Sequence, residues 1–187
     1  RGKATCKIFK DGTQLQIDQS KIVAVTVNQS IELVDAFSIV LTDNDLKMSS
    51  DDTFAEGANL QIKLGWQGGE EGVVVDGQVT GRELDFPKRG PVLLTVHGLS
   101  YEHLLNRGRF SRAFCKSPGQ FETSDKDVAT QIAGELGLET DTIDDPGVKF
   151  EYIFQNNMTN LEFLRERAAL YNYEVVITEG KKFSFRK

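Results

Sequence analysis

Two histidines and two cysteines are the side chains of this sequence best suited to binding a transition metal or acting as a nucleophile. His97 lies in a predicted strand and His103 in the predicted helical turn that follows it. This spacing gives no i,i+4 ligand pair, and no cysteine lies nearby in the sequence. Cys6 and Cys115 are far apart, each in an apolar or aromatic setting, which favours a reduced protein. We therefore expect structural histidines and no metal site.

An acidic segment resembles the start of a calcium-binding loop. It contains Asp43, Asn44 and Asp45. Met48 stands where such a loop needs a glycine for its sharp turn, and Phe54 stands where it needs a bidentate glutamate. The segment is therefore interpreted as a solvated acidic surface loop.

The glycines and the basic residues also favour ordinary turns and loops. Glycines follow one predicted strand but precede another, so no helix N-terminus is available to hold a phosphate; they are residues 65, 68, 69 and 72. One basic stretch is short and interrupted, which is typical of a solvated loop rather than a phosphate site; it comprises Arg107, Arg109, Arg112 and Lys116. No nucleophile motif is present and no pair of carboxylates stands out. We predict no catalytic, cofactor-binding or metal-binding residues, no cofactor and no enzyme activity.

Composition narrows the class of partner. Hydrophobic residues make up 39% of the chain and charged residues 27%, which is typical of a folded globular protein. The net charge of −6 argues against a general nucleic-acid or anionic-membrane binder. No apolar run is long enough for a membrane span, so membrane insertion is not expected.

The first part of the chain alternates apolar and polar residues as strands do. Asp11-Gly12 predicts a hairpin turn, and residues 22–27, 36–42, 60–65, 73–84 and 92–96 predict further strands. Residues 42–57 are polar and non-periodic, which indicates a long loop. Six to eight strands at this spacing favour a closed or half-closed antiparallel barrel.

The second part adds two helices. Capping boxes formed by Ser124 with Asp127 and by Thr159 with Glu162 predict the two helix starts, and Gly137 ends the first helix. A strand is expected at 148–154 and a hairpin at 173–185, while 109–121 is expected to be a connector. The predicted fold class is α+β, mainly β: a tube-like antiparallel β-barrel over residues 1–107, followed by a small α+β subdomain with two helices over 108–187. The last strand has no stop signal, so we expect the natural chain to continue beyond residue 187.

Three motifs in order along the chain resemble one family. The most specific is FQNNMTNLEFLRERA, residues 154–168, followed by YNYE at 171–174. The helix at 124–138 and the strands at 54–65 and 76–79 match in the same order. Together they resemble the phage late control D family and the hub part of VgrG spike proteins, except that Asn172 or Tyr173 stands where that family usually has glycine.

The resemblance implies a baseplate hub of a phage tail, a type VI secretion spike or a related contractile injection system. In that family three copies form a ring that joins the inner tube to the spike, so the implied partners are two further copies, the inner tube protein and spike or tail proteins. The implied location is the bacterial cytoplasm during assembly, then the virion tail or injection particle. The edges of the strands at 22–27 or 36–42 are expected to pair with a neighbouring copy.

Two alternatives remain open from the residues alone. A cell-wall hydrolase attached to the same machine would need a cleft with convergent carboxylates. A stand-alone tail adaptor or carbohydrate-binding β module would use Trp66, whose glycine-rich setting favours exposure. Tyr101, Phe110 and Phe114 are expected in the core.

Overall fold

The computed structural model describes residues 4–29 and 34–187. The chain divides into two compact units, residues 1–100 and residues 101–187. The division falls after Ser100, earlier than the boundary at 107/108 expected from the sequence. Its physical basis is that Tyr101, together with Leu104 and Leu105 of the four-residue helix that follows it, belongs to the core of the second unit.

The first unit is one antiparallel sheet. Its elements are β1 (Ala4–Lys10), β2 (Thr13–Gln14), β3 (Ile22–Asn28), β4 (Ala36–Thr42), α1 (Lys47–Ser50), β5 (Asn59–Trp66), β6 (Glu71–Asp85) and β7 (Leu93–Ser100). A short 3-10 turn, Gln19–Lys21, precedes β3. The seven strands lie in the order β2-β1-β5-β6-β7-β4-β3.

The hairpin predicted at Asp11-Gly12 is confirmed. Both residues have positive φ, 47° and 80°, as a two-residue turn that matches the twist of its strands requires. β1 and β2 pair on either side, with Lys10 opposite Thr13. Local turn chemistry therefore fixes the register at this end of the sheet.

The sheet curls around a single apolar core, but no strand pair among the described residues closes it. Inward residues of β4, β5 and β7, including Ile39, Ile62 and Leu94, are fully buried. β1 with β2 lies at one end of the strand order and β3 at the other. The mainly β class is confirmed. Of the two expected forms, a closed or a half-closed barrel, the described part of the sheet is not the closed one, because it has two edges.

Close backbone approach explains two glycines. A Cβ on Gly77 in β6 would lie 2.1 Å from the carbonyl oxygen of Leu99 in β7. A Cβ on Gly98 would lie 2.1 Å from Cζ of Phe37 in β4. Only glycine allows β6, β7 and β4 to pack this tightly here.

The second unit contains two small sheets and two principal helices. Its elements are α2 (Glu102–Leu105), β8 (Phe110–Phe114), α3 (Asp125–Glu135), β9 (Glu139–Ile143), β10 (Ile153–Met158), α4 (Asn160–Ala169), β11 (Glu174–Thr178) and β12 (Lys182–Arg186). β10 pairs with β8, and β12 lies between β11 and β9. Both helices pack with these strands around a core that includes Ile132, Leu164 and Phe183.

The helix starts are confirmed, but two strands were missed. Ser124 and Thr159 each form a reciprocal capping box with the third residue of their helix. Residues 109–121, expected to be a connector, contain β8, and β9 was not predicted because its sequence, ETDTI, has one apolar residue. The strand expected at 148–154 begins only at Ile153, because its earlier part has a single bridge, between Phe150 and Thr123.

Candidate assembly surface

The two histidines lie in different units and have different surroundings. His97, on β7, has Nε2 4.0 Å from a carboxylate oxygen of Glu83. His103, in α2, is buried, with Nε2 2.9 Å from Nη2 of Arg107. Across residues 4–29 and 34–187, no group of three His, Cys, Asp or Glu side chains is arranged to hold a metal.

The cysteines are also separated. Cys6 is buried in β1, and burial raises the pKa of its thiol. Cys115 is exposed, directly after β8. Both are free thiols.

The acidic segment is a folded loop held by its own side chains, so the interpretation as a solvated loop is wrong for Asp43. Asp43 is fully buried and accepts hydrogen bonds from the backbone N–H groups of Met48 (3.2 Å) and Ser49 (2.8 Å). Asn44 accepts from the N–H of Val92 at 2.8 Å. These bonds hold the carboxylate within the loop. The backbone N–H of Asp43 also donates to the carbonyl of Val92 at 2.9 Å, a distant contact that the local sequence does not indicate.

The basic stretch forms ion pairs within the second unit. Arg109 contacts Glu162 at 2.8 Å, and Arg112 contacts Glu135 at 2.7 Å. Arg112 also stacks against the ring of Phe114, with its guanidinium carbon 4.7 Å from the ring centroid. The solvated-loop interpretation is therefore wrong for Arg112, which lies in β8 and pairs with α3; Arg109, directly before β8, pairs with α4.

A buried polar cluster, which sequence reasoning missed, joins the two principal helices. Asp125, the first residue of α3, is 1% exposed. It accepts hydrogen bonds from Arg167 Nε (2.5 Å) and Nη2 (2.9 Å), and from the hydroxyl of Tyr171 (2.8 Å). The hydrogen bond to Asp125 raises the pKa of Arg167, although burial opposes it; burial and the Asp125 carboxylate both raise the pKa of Tyr171. The full set of partners indicates a structural lock rather than a reactive site.

Trp66 is 62% exposed, as expected. Trp66 is the last residue of β5, and the glycine-rich hairpin to β6 follows it. Its register partner on the neighbouring strand β1 is Ala4. Among the other predicted aromatic anchors, Tyr101 and Phe114 are buried and Phe110 is 37% exposed. Core packing is therefore correct for the first two and wrong for Phe110.

The remaining candidate for an assembly surface is an outer edge of the first sheet. β4 lies between β7 and β3, so the expectation that its edge pairs with another copy is wrong. β3 is the outermost strand at its end, and among the described residues its only ladder is with β4. Its seven residues, IVAVTVN, include no charged residue, no proline and no glycine.

Other sheet edges in the described part of the chain carry features that discourage strand addition. β2 has two residues. β9 carries Glu139 and Asp141, and β11 begins with Glu174. The pairing of β10 with β8 is interrupted by a bulge, where Asn157 has a φ of 49°. Short strands, edge charges and bulges are the usual protections against edge-to-edge pairing. β3 has seven residues and no charge, but its ladder with β4 shifts register between Ile22 and Ala24, as at a bulge.

A groove of about 240 Å³ lies between β3 and β1. Its walls include Ala4 and Cys6 on one side, Val23 and Val25 on the other, and Leu64. The side chain of Gln19 crosses to β1, donating to the carbonyl of Cys6 at 2.7 Å and accepting from its N–H at 3.4 Å. The side-chain amide of Gln19 thus bonds to the backbone N–H and carbonyl of Cys6 in β1. The outer edge of β3 has no strand partner among the described residues.

The family model described as the Alg8 N-terminal domain matches residues 1–187, the whole chain. The chain belongs to this family. The sequence motifs predicted a different family, that of phage late control D and VgrG proteins. That assignment stays a prediction. No curated protein matches this member of the Alg8 N-terminal domain family in sequence.

Solved structures of tail proteins share the fold. The 43 kDa tail protein of prophage MuSo2 from Shewanella oneidensis has a TM-score of 0.70 and 15% identity, over 99% of this chain and 54% of that protein. A tail protein from Neisseria meningitidis MC58 has a TM-score of 0.62 and 12% identity, over 97% and 50%.

A third structure is the c3393 protein of E. coli, described as a component of the type VI secretion system with structural similarity to the T4 bacteriophage tail proteins gp27 and gp5. It has a TM-score of 0.61 and 12% identity, over 96% of this chain and 48% of that protein. The chain thus spans about half the length of each of these proteins, and at such low identity the likeness shows the fold.

Proposed function

We propose that this chain is a structural component of a phage tail or of a related contractile injection system, and that it acts in the hub that joins the inner tube to the spike. The observation that carries the proposal is the tail-protein fold, matched over 99% of the chain with a TM-score of 0.70. The type VI component of E. coli supports the same class of machine. A shared fold raises the expectation of a shared role, and the role itself needs a direct test.

Three copies in a ring are the proposed assembly, as the three sequence motifs imply. The proposed partners are the inner tube protein and spike or tail proteins, with assembly in the bacterial cytoplasm and final residence in the tail or injection particle. Within the described residues no helix is long and apolar enough to cross a membrane. The net charge of −6 supports a protein partner rather than nucleic acid.

A structural rather than catalytic role is part of the proposal. Three of the buried polar side chains of the second unit show this: Gln155 donates to Asn160 at 3.0 Å, and Asn160 and Asp125 accept from Arg112 and Arg167. Such networks position helices and strands, which fits a structural role. A cell-wall hydrolase would instead release peptidoglycan fragments, which a dye-release assay on purified cell walls would detect.

Sedimentation equilibrium of the complete gene product tests the ring. The expected result is a species of three times the chain mass at micromolar concentration. A single-copy mass up to the highest soluble concentration would overturn the trimer.

A stand-alone carbohydrate-binding module is the second candidate, favoured only by the exposure of Trp66. Since this is the single tryptophan of the chain, sugar stacking on its ring would quench most of the tryptophan fluorescence. Saturable quenching by cell-wall oligosaccharides, lost in Trp66→Ala, would support this candidate. A flat titration would count against it.

A further inference from the structure

The hairpin between β6 and β7 ends in an exposed tip, residues 84–91, that combines an aromatic ring with two cations. Phe86 is 61% exposed and Leu84 is 43% exposed. Lys88 and Arg89 are exposed, and neither forms an ion pair with a residue that the structure describes. With Asp85 as the one carboxylate, the tip has two positive charges and one negative charge, on a chain whose net charge is −6. Aromatic and arginine side chains are enriched at contacts between proteins.

The hairpin tip is conformationally restricted. Pro87 and Pro91 each fix one φ angle within it. Directly after the tip, the backbone N–H of Val92 donates to the side-chain oxygen of Asn44 at 2.8 Å. A segment that is already ordered loses less conformational entropy when it binds, so the exposed ring of Phe86 is well placed to enter an apolar cavity.

The first unit also contains such a cavity, of about 330 Å³. Its apolar walls are the half-buried side chains of Leu15, Ile17 and Met48, and the buried Phe54 lies beside them. This volume is within the range of sites that hold small apolar groups, and it has room for one aromatic ring. Phe86 is not part of the lining, so the hairpin tip of the same copy does not fill the cavity.

The charge around the cavity is opposite in sign to that of the hairpin tip. Residues 15–21 and 45–56, the two segments that line it, carry five carboxylates and two lysines, which is a net charge of −3; these are Asp18, Asp45, Asp51, Asp52, Glu56, Lys21 and Lys47. Lys10, whose ammonium donates to the carbonyl of Asp52, reduces this to −2. A cationic tip is therefore attracted to the cavity, although the two whole copies repel each other.

We propose that the hairpin tip of one copy docks into this cavity of a neighbouring copy, with Phe86 against Leu15, Ile17 and Met48. Lys88 and Arg89 then lie near the carboxylates of residues 45–56. The occupant is a second copy because the chain itself carries both halves of the contact, matched in apolar character and in charge. This inference rests on the proposed function, which requires several copies in one ring. Since the tip and the cavity are different surfaces, the contact is head-to-tail, the type that closes into rings.

Two matched substitutions in the complete gene product test the donor side. Phe86→Ala removes the ring from the hairpin tip, and Phe121→Ala removes an equally large side chain, 71% exposed, from the second unit. We expect Phe86→Ala to raise the dissociation constant of self-association, measured by sedimentation, by about tenfold or more, because the ring loses its apolar burial. Phe121→Ala should leave it close to wild type. Far-UV circular dichroism verifies that both variants are folded.

Disulfide cross-linking identifies the acceptor. One chain carries Phe86→Cys and a second, differently tagged chain carries Met48→Cys, both with the exposed Cys115 replaced by serine. After the two chains are mixed and mildly oxidised, we expect a cross-linked product that contains both tags, since a disulfide requires the two Cα atoms to lie within about 7 Å. A mixture of Phe121→Cys and Met48→Cys chains is the control and should not form this product.

The outcomes separate this contact from the ring. If the wild type forms trimers while Phe86→Ala associates as tightly and the two-tag product is absent, the contact is overturned and the ring stands. If Phe86→Ala weakens association but Met48→Cys does not cross-link to the hairpin tip, the cavity is overturned as the acceptor. If the wild type remains a single copy at every concentration, the ring and the contact are both overturned.

Discussion

Replacing Asp125 by asparagine removes the negative charge from the lock between α3 and α4. Asp125 is 1% exposed, and its carboxylate accepts hydrogen bonds from both Nε and Nη2 of Arg167. The side chain of Arg167 is 19% exposed. Asparagine has nearly the same shape, so the loss is electrostatic: the guanidinium stays partly buried without a counter-ion. Removing one member of a buried pair typically costs 3–5 kcal/mol, and the partial exposure of Arg167 places the expected loss near the lower end, about 3 kcal/mol.

Urea unfolding followed by circular dichroism at 222 nm measures this loss, because nearly all the helix of the described chain lies in the second unit. The control is Glu174→Gln, which removes a more exposed pair with Arg186 (3.0 Å; side chains 54% and 38% exposed). It should cost less than about 1 kcal/mol. A double-mutant cycle with Arg167→Met isolates the pair, since the second substitution should cost little once Asp125 is gone. A loss within about 1 kcal/mol of wild type for Asp125→Asn would refute the account of the lock.

Three further substitutions test the local physics of the fold. Ser124→Ala removes the capping box of α3 and should lower the free energy of unfolding by about 1 kcal/mol in urea titration; no change would show that the cap is dispensable. Tyr171→Phe tests the raised pKa of Tyr171: in the wild type the folded state holds this proton more tightly, so stability falls as pH rises above the ordinary value of 10.0, and the variant should show a shallower alkaline slope in thermal melts. Gly77→Ala should cost about 2 kcal/mol or more because its Cβ meets the Leu99 carbonyl, whereas Gly81→Ala, also in β6 with open space around it, should be nearly neutral; equal losses would contradict the close-approach argument.

Local signals in the sequence were sufficient for the elements whose causes are local. The hairpin at Asp11-Gly12 and the helices that begin after Ser124 and Thr159 depend on residues within four positions of one another. The same holds for the left-handed residue Gly137, with a φ of 64°, that follows α3. These features were predicted correctly because turn and cap chemistry acts over a short range.

Features that depend on distant partners were not predictable in this way. Asp43 looked solvated, yet it is buried, and its backbone N–H donates to the carbonyl of Val92 in the segment before β7. β9 is polar, and it forms because β12 offers a parallel edge. Which strand lies at the edge of the first sheet is set by the whole strand order, so β3 and β4 could not be distinguished from composition alone.

Electron microscopy of purified injection particles, labelled with an antibody against this chain, tests the central claim most directly. The account predicts label at one end of each particle, at the junction between the inner tube and the spike. Label distributed along the tube, or particles without label from cells that produce the chain, would contradict the hub assignment.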